Sequence, residues 1–237
     1  MNAAMGDLDN DGLIDIFVTR RGYGSFYLRR AQGHYDDRMW ASGLGRITQP
    51  YVGWGGALLD FDNNGHRDLF VANGDAFTLA GTLPLLLETL GNGQFTNAVA
   101  AGGTVFRQNL NGRGAATLDY DNDGRMDLLV TVLADRPLLL RNRDSAGHHW
   151  VALALEGTRS NRDGYGALIT LTAGGRTWKA EAMCNTGFLM QSDPRVHFGL
   201  GKAQHIDTIE IRWPSGRVQR LTDQGVDRML KIREPHE

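Results

Sequence analysis

The amino-acid sequence predicts an all-β protein. Three short acidic loops recur along the first part of the chain, and each leads into a β-rich run: IDIFVT, RDLFVA and MDLLVT. From about His148 the loops stop, and apolar and polar residues alternate in short runs separated by Gly, Asp or Pro. The 31 glycines fit a chain with many tight turns, and no stretch predicts a long helix.

The three loops share one pattern of oxygen-bearing side chains. They read DLDNDGLID from Asp7, DFDNNGHRD from Asp60 and DYDNDGRMD from Asp119, at intervals of 53 and 59 residues. Asp or Asn occupies positions 1, 3, 5 and 9, a spacing that lets a short loop surround Ca²⁺ with the oxygen ligands it prefers. The predicted side-chain ligands are Asp7, Asp9, Asp11 and Asp15; Asp60, Asp62, Asn64 and Asp68; and Asp119, Asp121, Asp123 and Asp127.

Position 7 of each loop would bind through its backbone carbonyl, so its side chain can vary: Leu13, His66 and Arg125. We therefore expect up to three Ca²⁺ ions. The second loop has Asn64 where the others have Asp, and the lost charge predicts that this site binds most weakly. An EF-hand is excluded, because it needs Glu at position 12, where this chain has Val. The competing interpretation is that Asp, Asn and Gly only form turns, but three aligned copies argue against it.

Each loop lies inside a longer repeat. A small-residue run precedes the loop and a strand follows it. A third strand comes next (SFYLRR, PLLLET, PLLLRN), and a fourth begins after a glycine turn in the first two repeats. Four short strands in about 50–60 residues are typical of a β-propeller blade. Residues 1–146 are thus predicted to form a partial β-propeller of about three four-stranded blades.

The predicted propeller is incomplete. The first strand begins at the start of the chain, the third blade has no clear fourth strand, and complete propellers have about 4–8 blades. We therefore expect the C-terminal piece of a longer protein, with open blade faces through which chains could associate.

Residues 147–237 are predicted to form a second unit, a small C-terminal β-sandwich-like domain. Its expected strands are WVALALEG, ALITLTAG, RTWKAEAM, RVHFGLG, DTIEIRWPSG and RMLKIRE. These runs alternate between two faces, as strands with one buried face do.

The loops and their flanks resemble the FG-GAP repeat, also called the VCBS or integrin α-type repeat, over roughly residues 1–143. That resemblance implies propeller blades whose loop between the first two strands holds calcium through the residues named above. The segments NRDGYGALITLTAGG, GFLMQSDPRVHFGLG and IDTIEIRWPSGRVQ resemble the ASPIC/UnbV domain. The combination is similar to the cartilage acidic protein family, which implies a calcium-binding protein that is extracellular or exported.

Charge and composition exclude several classes of function. With 25 Lys and Arg against 27 Asp and Glu, the formal net charge is −2, so no nucleic-acid partner is predicted. No apolar run approaches the length of a membrane span. No signal peptide precedes the first loop, so an extracellular, periplasmic or cell-surface location implies a leader lost with an N-terminal part. Cys184 is the single cysteine and is interpreted as a small buried residue.

Sequence motifs reveal no catalytic constellation, and the chain is predicted not to be an enzyme. His148 and His149 are adjacent on a predicted strand and would face opposite ways, so a shared metal is not predicted. His197 and His205 have no second ligand spaced beside them and are interpreted as structural.

Two turns and three tryptophans complete the set of candidates. Residues 161–163 and 192–195 are interpreted as turns, with Arg195 able to pair with a carboxylate. Trp150, Trp178 and Trp213 could form a carbohydrate platform, but the strand-like alternation around each favours core packing.

Two functions remain open. The first is a calcium-binding extracellular or exported interaction or adhesion module, with structural calcium in the loops and an unidentified protein or glycan partner. The alternative is the scaffold of a carbohydrate-active or other hydrolytic enzyme whose active site lies in missing N-terminal blades.

Overall fold

The computed structural model of the chain describes residues 2–183 and 187–236. The all-β prediction is confirmed, because strands dominate throughout and form five sheets. The described part of the chain contains one short α-helix, α1 (Leu44–Thr48), and one 3-10 helix (Thr104–Arg107). None of its helices is long and apolar enough to cross a membrane.

Sheets 1 to 3 are antiparallel and follow the order of the chain. Sheet 1 contains β1 (Ala3–Gly6), β2 (Asp15–Val18), β3 (Ser25–Arg29) and β4 (Tyr35–Asp37). Sheet 2 contains β5 (Gly53–Leu59), β6 (Asp68–Asn73), β7 (Leu85–Thr89) and β8 (Phe95–Asn97). Sheet 3 contains β9 (Gly112–Leu118), β10 (Asp127–Val132) and β11 (Leu138–Leu140). The first strands β1, β5 and β9 are successive neighbours in space, as the inner strands of a β-propeller are.

Two further sheets follow. Sheet 4 has the order β15–β12–β18 and sheet 5 the order β14–β13–β16–β17. Their strands are β12 (His149–Glu156), β13 (Leu168–Ala173), β14 (Arg176–Glu181), β15 (Val196–Gly201), β16 (His205–Arg212), β17 (Val218–Gly225) and β18 (Arg228–Arg233). Strands β12 and β18 run parallel. The two sheets share one hydrophobic core, with Leu153, Ile169 and Trp213 among its most buried side chains.

The cores of sheets 1 to 3 lie between neighbouring sheets. Phe17 and Leu87 belong to the cluster that joins sheets 1 and 2, and Phe70 belongs to the cluster that joins sheets 2 and 3. The inner strands approach so closely that a Cβ on Gly55 would lie 2.7 Å from backbone atoms of Ala115 and Arg113. This close approach explains the runs of small residues that precede the second and third loops.

The predicted partial propeller of about three four-stranded blades is wrong in its count. The described residues form five sheets, and the third has three strands, in agreement with the expectation that this blade has no clear fourth strand. Sheets 4 and 5 carry no acidic loop, so the repeat that marks sheets 1 to 3 gives no signal for them. The predicted strands also omit β17, because its sequence VQRLTDQG is mostly polar and mostly exposed.

Glu234 anchors the C-terminal end of the described chain. Its side chain is 1% exposed, and its carboxylate accepts backbone and hydroxyl hydrogen bonds. The donors are the N–H groups of Thr158, Arg159 and Ser160, each at 2.8 Å, and the hydroxyls of Ser160 and Ser215. Burial alone would raise the pKa of Glu234, but these hydrogen bonds outweigh it and lower the pKa to about 2.

Replacement of this carboxylate, Glu234→Gln, is expected to lower the free energy of unfolding by about 2 kcal/mol at neutral pH, because hydrogen bonds to a charged acceptor are lost. The folded-state pKa lies below the ordinary value of 4.5. The stabilisation is therefore complete above that value and is lost as the pH falls towards the folded-state pKa. Urea unfolding between neutral pH and about pH 3 measures both effects. The exposed Glu210→Gln is the control, and the same pH dependence in both variants would contradict the assignment.

Candidate metal centres

Each acidic loop connects the first and second strands of its sheet. Position 9 is the first residue of the second strand, at Asp15, Asp68 and Asp127. These residues are fully or almost fully buried, and each is paired in register with the last residue of the preceding strand. The sheet itself therefore fixes the carboxylate that closes each loop.

The backbone bends in the same way in all three loops. Positions 4 and 6 have positive φ angles: 60°, 59° and 58° at Asn10, Asn63 and Asn122, and 87°, 87° and 82° at Gly12, Gly65 and Gly124. Asn tolerates the left-handed region better than most residues with a side chain. The Asn at position 4, to which sequence analysis gave no role, is therefore a requirement of the loop conformation.

Three carboxylates converge in each loop. Ligand atoms of positions 1, 3 and 9 all lie within 4.8 Å of one another: Asp7, Asp9 and Asp15; Asp60, Asp62 and Asp68; Asp119, Asp121 and Asp127. Positions 1 and 9 are buried, and position 3 is half-buried in the first two loops and exposed in the third. Each loop thus brings together the oxygen donors of a hard divalent cation.

The side chains at position 5 turn towards the loop backbone instead. Oδ1 of Asp11 accepts the N–H of Leu13 at 2.8 Å, and Oδ1 of Asp123 accepts the N–H of Arg125 at 3.0 Å. Oδ1 of Asn64 accepts the corresponding N–H of the second loop at 2.8 Å. These contacts stabilise the turn.

The side chains at position 7 of the second and third loops have polar partners of their own. The ring of His66 lies between Asn10, 2.7 Å from its Nδ1, and Arg176, 3.0 Å from its Nε2. The guanidinium of Arg125 pairs with Asp123. Because both side chains are occupied by these partners, His66 and Arg125 would bind a metal ion through their backbone carbonyls.

Within the described residues, arginines form ion pairs with the carboxylates at position 3 of the first and third loops, whereas the buried carboxylates at positions 1 and 9 form none. Burial raises the pKa of Asp15 to about 7 and that of Asp68 to about 9, and it raises the pKa of Asp60 well above the ordinary value. Within the described residues, Oδ1 of Asp7 is buried without a hydrogen-bond partner, while Oδ2 accepts the N–H of Gly12 at 2.8 Å. A buried, unpaired carboxylate oxygen beside two other carboxylates fits a cation, which would supply the missing charge.

Arg67, at position 8 of the second loop, is a charged residue that sequence analysis did not single out. Its Nη1 approaches the start of the first loop, 2.7 Å from where a Cβ on Gly6 would lie. Burial raises the pKa of Asp7, and the charge of Arg67 partly offsets that increase. The position of this arginine between two loops is a tertiary feature, so local spacing gave no indication of it.

A side chain from sheet 4 or 5 covers the glycine of each loop. A Cβ would lie 2.3 Å from Lys179 at Gly12, 2.7 Å from Trp178 at Gly65 and 1.8 Å from Trp150 at Gly124. The indole N–H of Trp178 also donates to the carbonyl of Gly65 at 2.8 Å. Glycine is therefore needed for space as well as for its positive φ at Gly65 and Gly124, where the neighbour is a rigid ring, whereas the end of Lys179 can move away from Gly12.

Two residues, one directly before β15 and one within it, form hydrogen bonds with the backbone of the third loop. Nη2 of Arg195 donates to the carbonyl of Asp119 at 2.8 Å, and Nε2 of His197 lies 3.0 Å from the carbonyl of Gly124. Burial lowers the pKa of His197 to about 4, so the ring is neutral at physiological pH and carries its proton on Nε2. The same ring stacks on Trp150 with centroids 6.2 Å apart.

Several sequence-based interpretations can now be compared with the structure. His148 and His149 have different partners: Nδ1 of the first lies 2.8 Å from the carbonyl of Asp62, and the second contacts the carboxylate of Asp227. Arg195 pairs with a carboxylate, that of Asp193, which confirms the expected contact.

The tryptophans divide into two groups. Trp178 and Trp213 lie in the core that sheets 4 and 5 share, which confirms core packing over a carbohydrate platform. Trp150 is half-buried against the third loop instead. His205 is exposed and pairs with Asp223, and the interpretation of Cys184 lies outside the described residues.

The fold and the loops together define an all-β repeat protein with an acidic loop at the first turn of each of sheets 1 to 3. The profile described as "FG-GAP-like repeat" matches residues 7–71 and 60–130, and the one described as "ASPIC and UnbV" matches residues 157–237. The chain therefore belongs to the FG-GAP-like repeat family, here joined to an ASPIC and UnbV region.

Curated relatives share this architecture. The chain is similar to cartilage acidic protein 1 of Homo sapiens, 24% identical over 91% of this chain and 33% of the relative. It is also similar to the Mus musculus protein, 22% identical over 99% of this chain and 37% of the relative. The Xenopus tropicalis protein is 26% identical over 53% of this chain and 20% of the relative. The chain thus spans between a fifth and rather more than a third of the relatives that it matches.

Proposed function

We propose that this chain is a calcium-binding, extracellular or exported interaction module in which the calcium is structural. The observation that supports this function best is the threefold convergence of carboxylates within 4.8 Å, at the same loop positions each time. Oxygen-only donor sets are typical of calcium sites. The relatives carry the name cartilage acidic protein 1, which favours a role in the extracellular space.

The contacts between the loops and sheets 4 and 5 support a structural role for the ion. Carbonyl groups of the second and third loops accept hydrogen bonds from Trp178 and Arg195. A cation that neutralises the loop carboxylates would stabilise the same backbone that these side chains hold. The partner, a protein or a glycan, would then bind to a scaffold whose shape calcium maintains.

Isothermal titration of the chelator-stripped protein with calcium is the direct test. Three binding events with affinities on the order of 10⁻⁴–10⁻³ M, as in extracellular modules, are expected. Asp127→Asn should remove one event, whereas Asp144→Asn, outside the loops, should remove none. Absence of calcium binding in the parent chain would refute the proposal.

The second loop should bind calcium more tightly after Asn64→Asp, because ligand charge tunes calcium affinity and this change restores the charge that the other loops have. In the structure Nδ2 of Asn64 donates to Asp62 at 3.1 Å, a contact that the variant replaces with carboxylate repulsion until a cation is bound. Titration should show several-fold tighter binding at one site of the three. Asn92→Asp, in an exposed turn, is the control. An unchanged isotherm for Asn64→Asp would show that position 5 does not contribute to affinity.

A further inference from the structure

In the part of the chain that the structure describes, sheet 3 lacks the fourth strand that completes sheets 1 and 2. Within the described residues β11 is its outer edge, whereas β3 and β7 pair with β4 and β8. A cavity of about 400 Å³ lies beside this edge, between sheets 2 and 3. Its lining includes the apolar side chains of Phe61, Leu86, Phe106 and Met126, together with Arg143.

Backbone hydrogen bonds establish which positions correspond in the three sheets. The N–H groups of Arg29, Thr89 and Asn142 each donate to the carboxylate at position 9 of their own loop, at 2.9, 2.9 and 2.7 Å. In sheets 1 and 2 the fourth strand places an aromatic residue opposite this position. Tyr35 of β4 pairs with Arg29, and Phe95 of β8 pairs with Thr89. The equivalent place in sheet 3 lies opposite Asn142.

Phe95 shows what an aromatic residue does at this place. It is 6% exposed, and its ring packs edge-on against Phe26 of the neighbouring sheet with centroids 5.6 Å apart. The residue of sheet 2 that corresponds to Phe26 is Leu86, since each pairs with the residue two places after position 9. Leu86 lines the cavity. The cavity is therefore the space that an aromatic side chain on a fourth strand of sheet 3 would fill.

Sheet 1 also shows which charge would follow the aromatic residue. Asp36, directly after Tyr35, accepts a hydrogen bond from Nε of Arg30 at 2.7 Å. The backbone N–H of Arg30 donates to the carbonyl of His34 at 2.9 Å, at the end of the same pair of strands. Arg143 takes the place of Arg30 in sheet 3, so it can offer an incoming strand both a cation and a backbone donor.

We propose that the outer edge of β11 is a docking site for an extended segment of a partner protein, in which an aromatic residue is followed directly by an acidic one. The segment adds to sheet 3 as a β-strand, so that main-chain hydrogen bonds supply affinity and the side chains supply specificity. Its aromatic side chain fills the cavity, and its carboxylate pairs with Arg143. The inference goes beyond the proposed calcium function and does not depend on metal binding by the loops, so either can fail without the other.

The test uses the full chain in calcium and a fluorescent peptide with the sequence of residues 92–99 carrying Thr96→Asp. Fluorescence anisotropy should show saturable binding that is lost when the phenylalanine of the peptide is replaced by alanine. Arg143→Glu should weaken binding about tenfold, equivalent to ~1.4 kcal/mol. Arg136→Glu, a charge reversal in the turn before β11, should leave it unchanged.

A charge swap separates this contact from a general effect on folding. A peptide with lysine in place of the aspartate should bind Arg143→Glu more tightly than it binds the parent chain, which requires the variant to be folded. Equal binding of a scrambled peptide, equal effects of Arg143→Glu and Arg136→Glu, or no saturable binding below about 1 mM, the weak end of specific recognition, would each overturn the proposal.

Discussion

Removal of calcium by a chelator is expected to lower the Tm of this chain by about 8–30 °C, relative to its value in about 10 mM calcium. At that concentration a site with a Kd of about 10⁻⁴ M contributes about 2.7 kcal/mol to the stability of the folded state, and a site with a Kd of about 10⁻³ M contributes about 1.4 kcal/mol. Three sites therefore contribute about 4–8 kcal/mol, and each kcal/mol shifts the Tm of a chain of this size by about 2–4 °C. The effect should be large because the carboxylates at positions 1 and 9 are buried close together.

Calorimetry measures the shift, and tryptophan fluorescence should follow it, because Trp150 and Trp178 lie directly on loop glycines. Magnesium at the same concentration should stabilise less, since it requires a smaller, octahedral ligand shell. A variant with Asp15→Asn, Asp68→Asn and Asp127→Asn should melt at the same temperature with and without calcium. If the parent chain also melted at one temperature in both conditions, the loops would be turns without a structural metal.

The local chemistry of the loops was accessible from the sequence, because a loop of nine residues determines its own geometry. Spacing alone identified all the carboxylates that converge, including position 9, which the sheet register then fixes at Asp15. The same spacing could not show that the carboxylate of Asp11 also accepts a hydrogen bond from the backbone N–H of Leu13. Nor could it reveal the role of Asn10, whose positive φ depends on the three-dimensional turn.

The parts of the structure that sequence analysis missed all depend on distant contacts. Trp150 and Trp178 follow strand-like alternation, so both were interpreted as core residues, yet both also contact an acidic loop far away in the chain. Strand β17 was not predicted, because its mostly polar sequence lacks the alternation of apolar and polar residues that indicates a half-buried strand. The number of sheets was likewise underestimated, because the acidic repeat ends before β12 and the topology of sheets 4 and 5 is not sequential.

Gly124→Ala is expected to destabilise the chain by about 3 kcal/mol, which corresponds to a Tm about 6–12 °C lower. The φ of 82° already disfavours any residue with a Cβ, at a cost of about 1–2 kcal/mol. The new methyl group would also lie 1.8 Å from the ring of Trp150, which stacks on His197 and so has little room to move. Thermal and urea unfolding in chelator measure the effect apart from any change in metal binding.

Gly216→Ala is the matched control, because its φ of 88° is similar and a Cβ there would meet nothing within 4 Å. It should cost only the conformational term of about 1–2 kcal/mol. A double-mutant cycle with Trp150→Ala then isolates the contact: in the background without the indole, Gly124→Ala should cost no more than the control. If Gly124→Ala were equally destabilising in the Trp150→Ala background, the strain would lie in the loop alone. The indole would then not link sheet 4 to the third loop, and the stability of that loop would be independent of the C-terminal sheets.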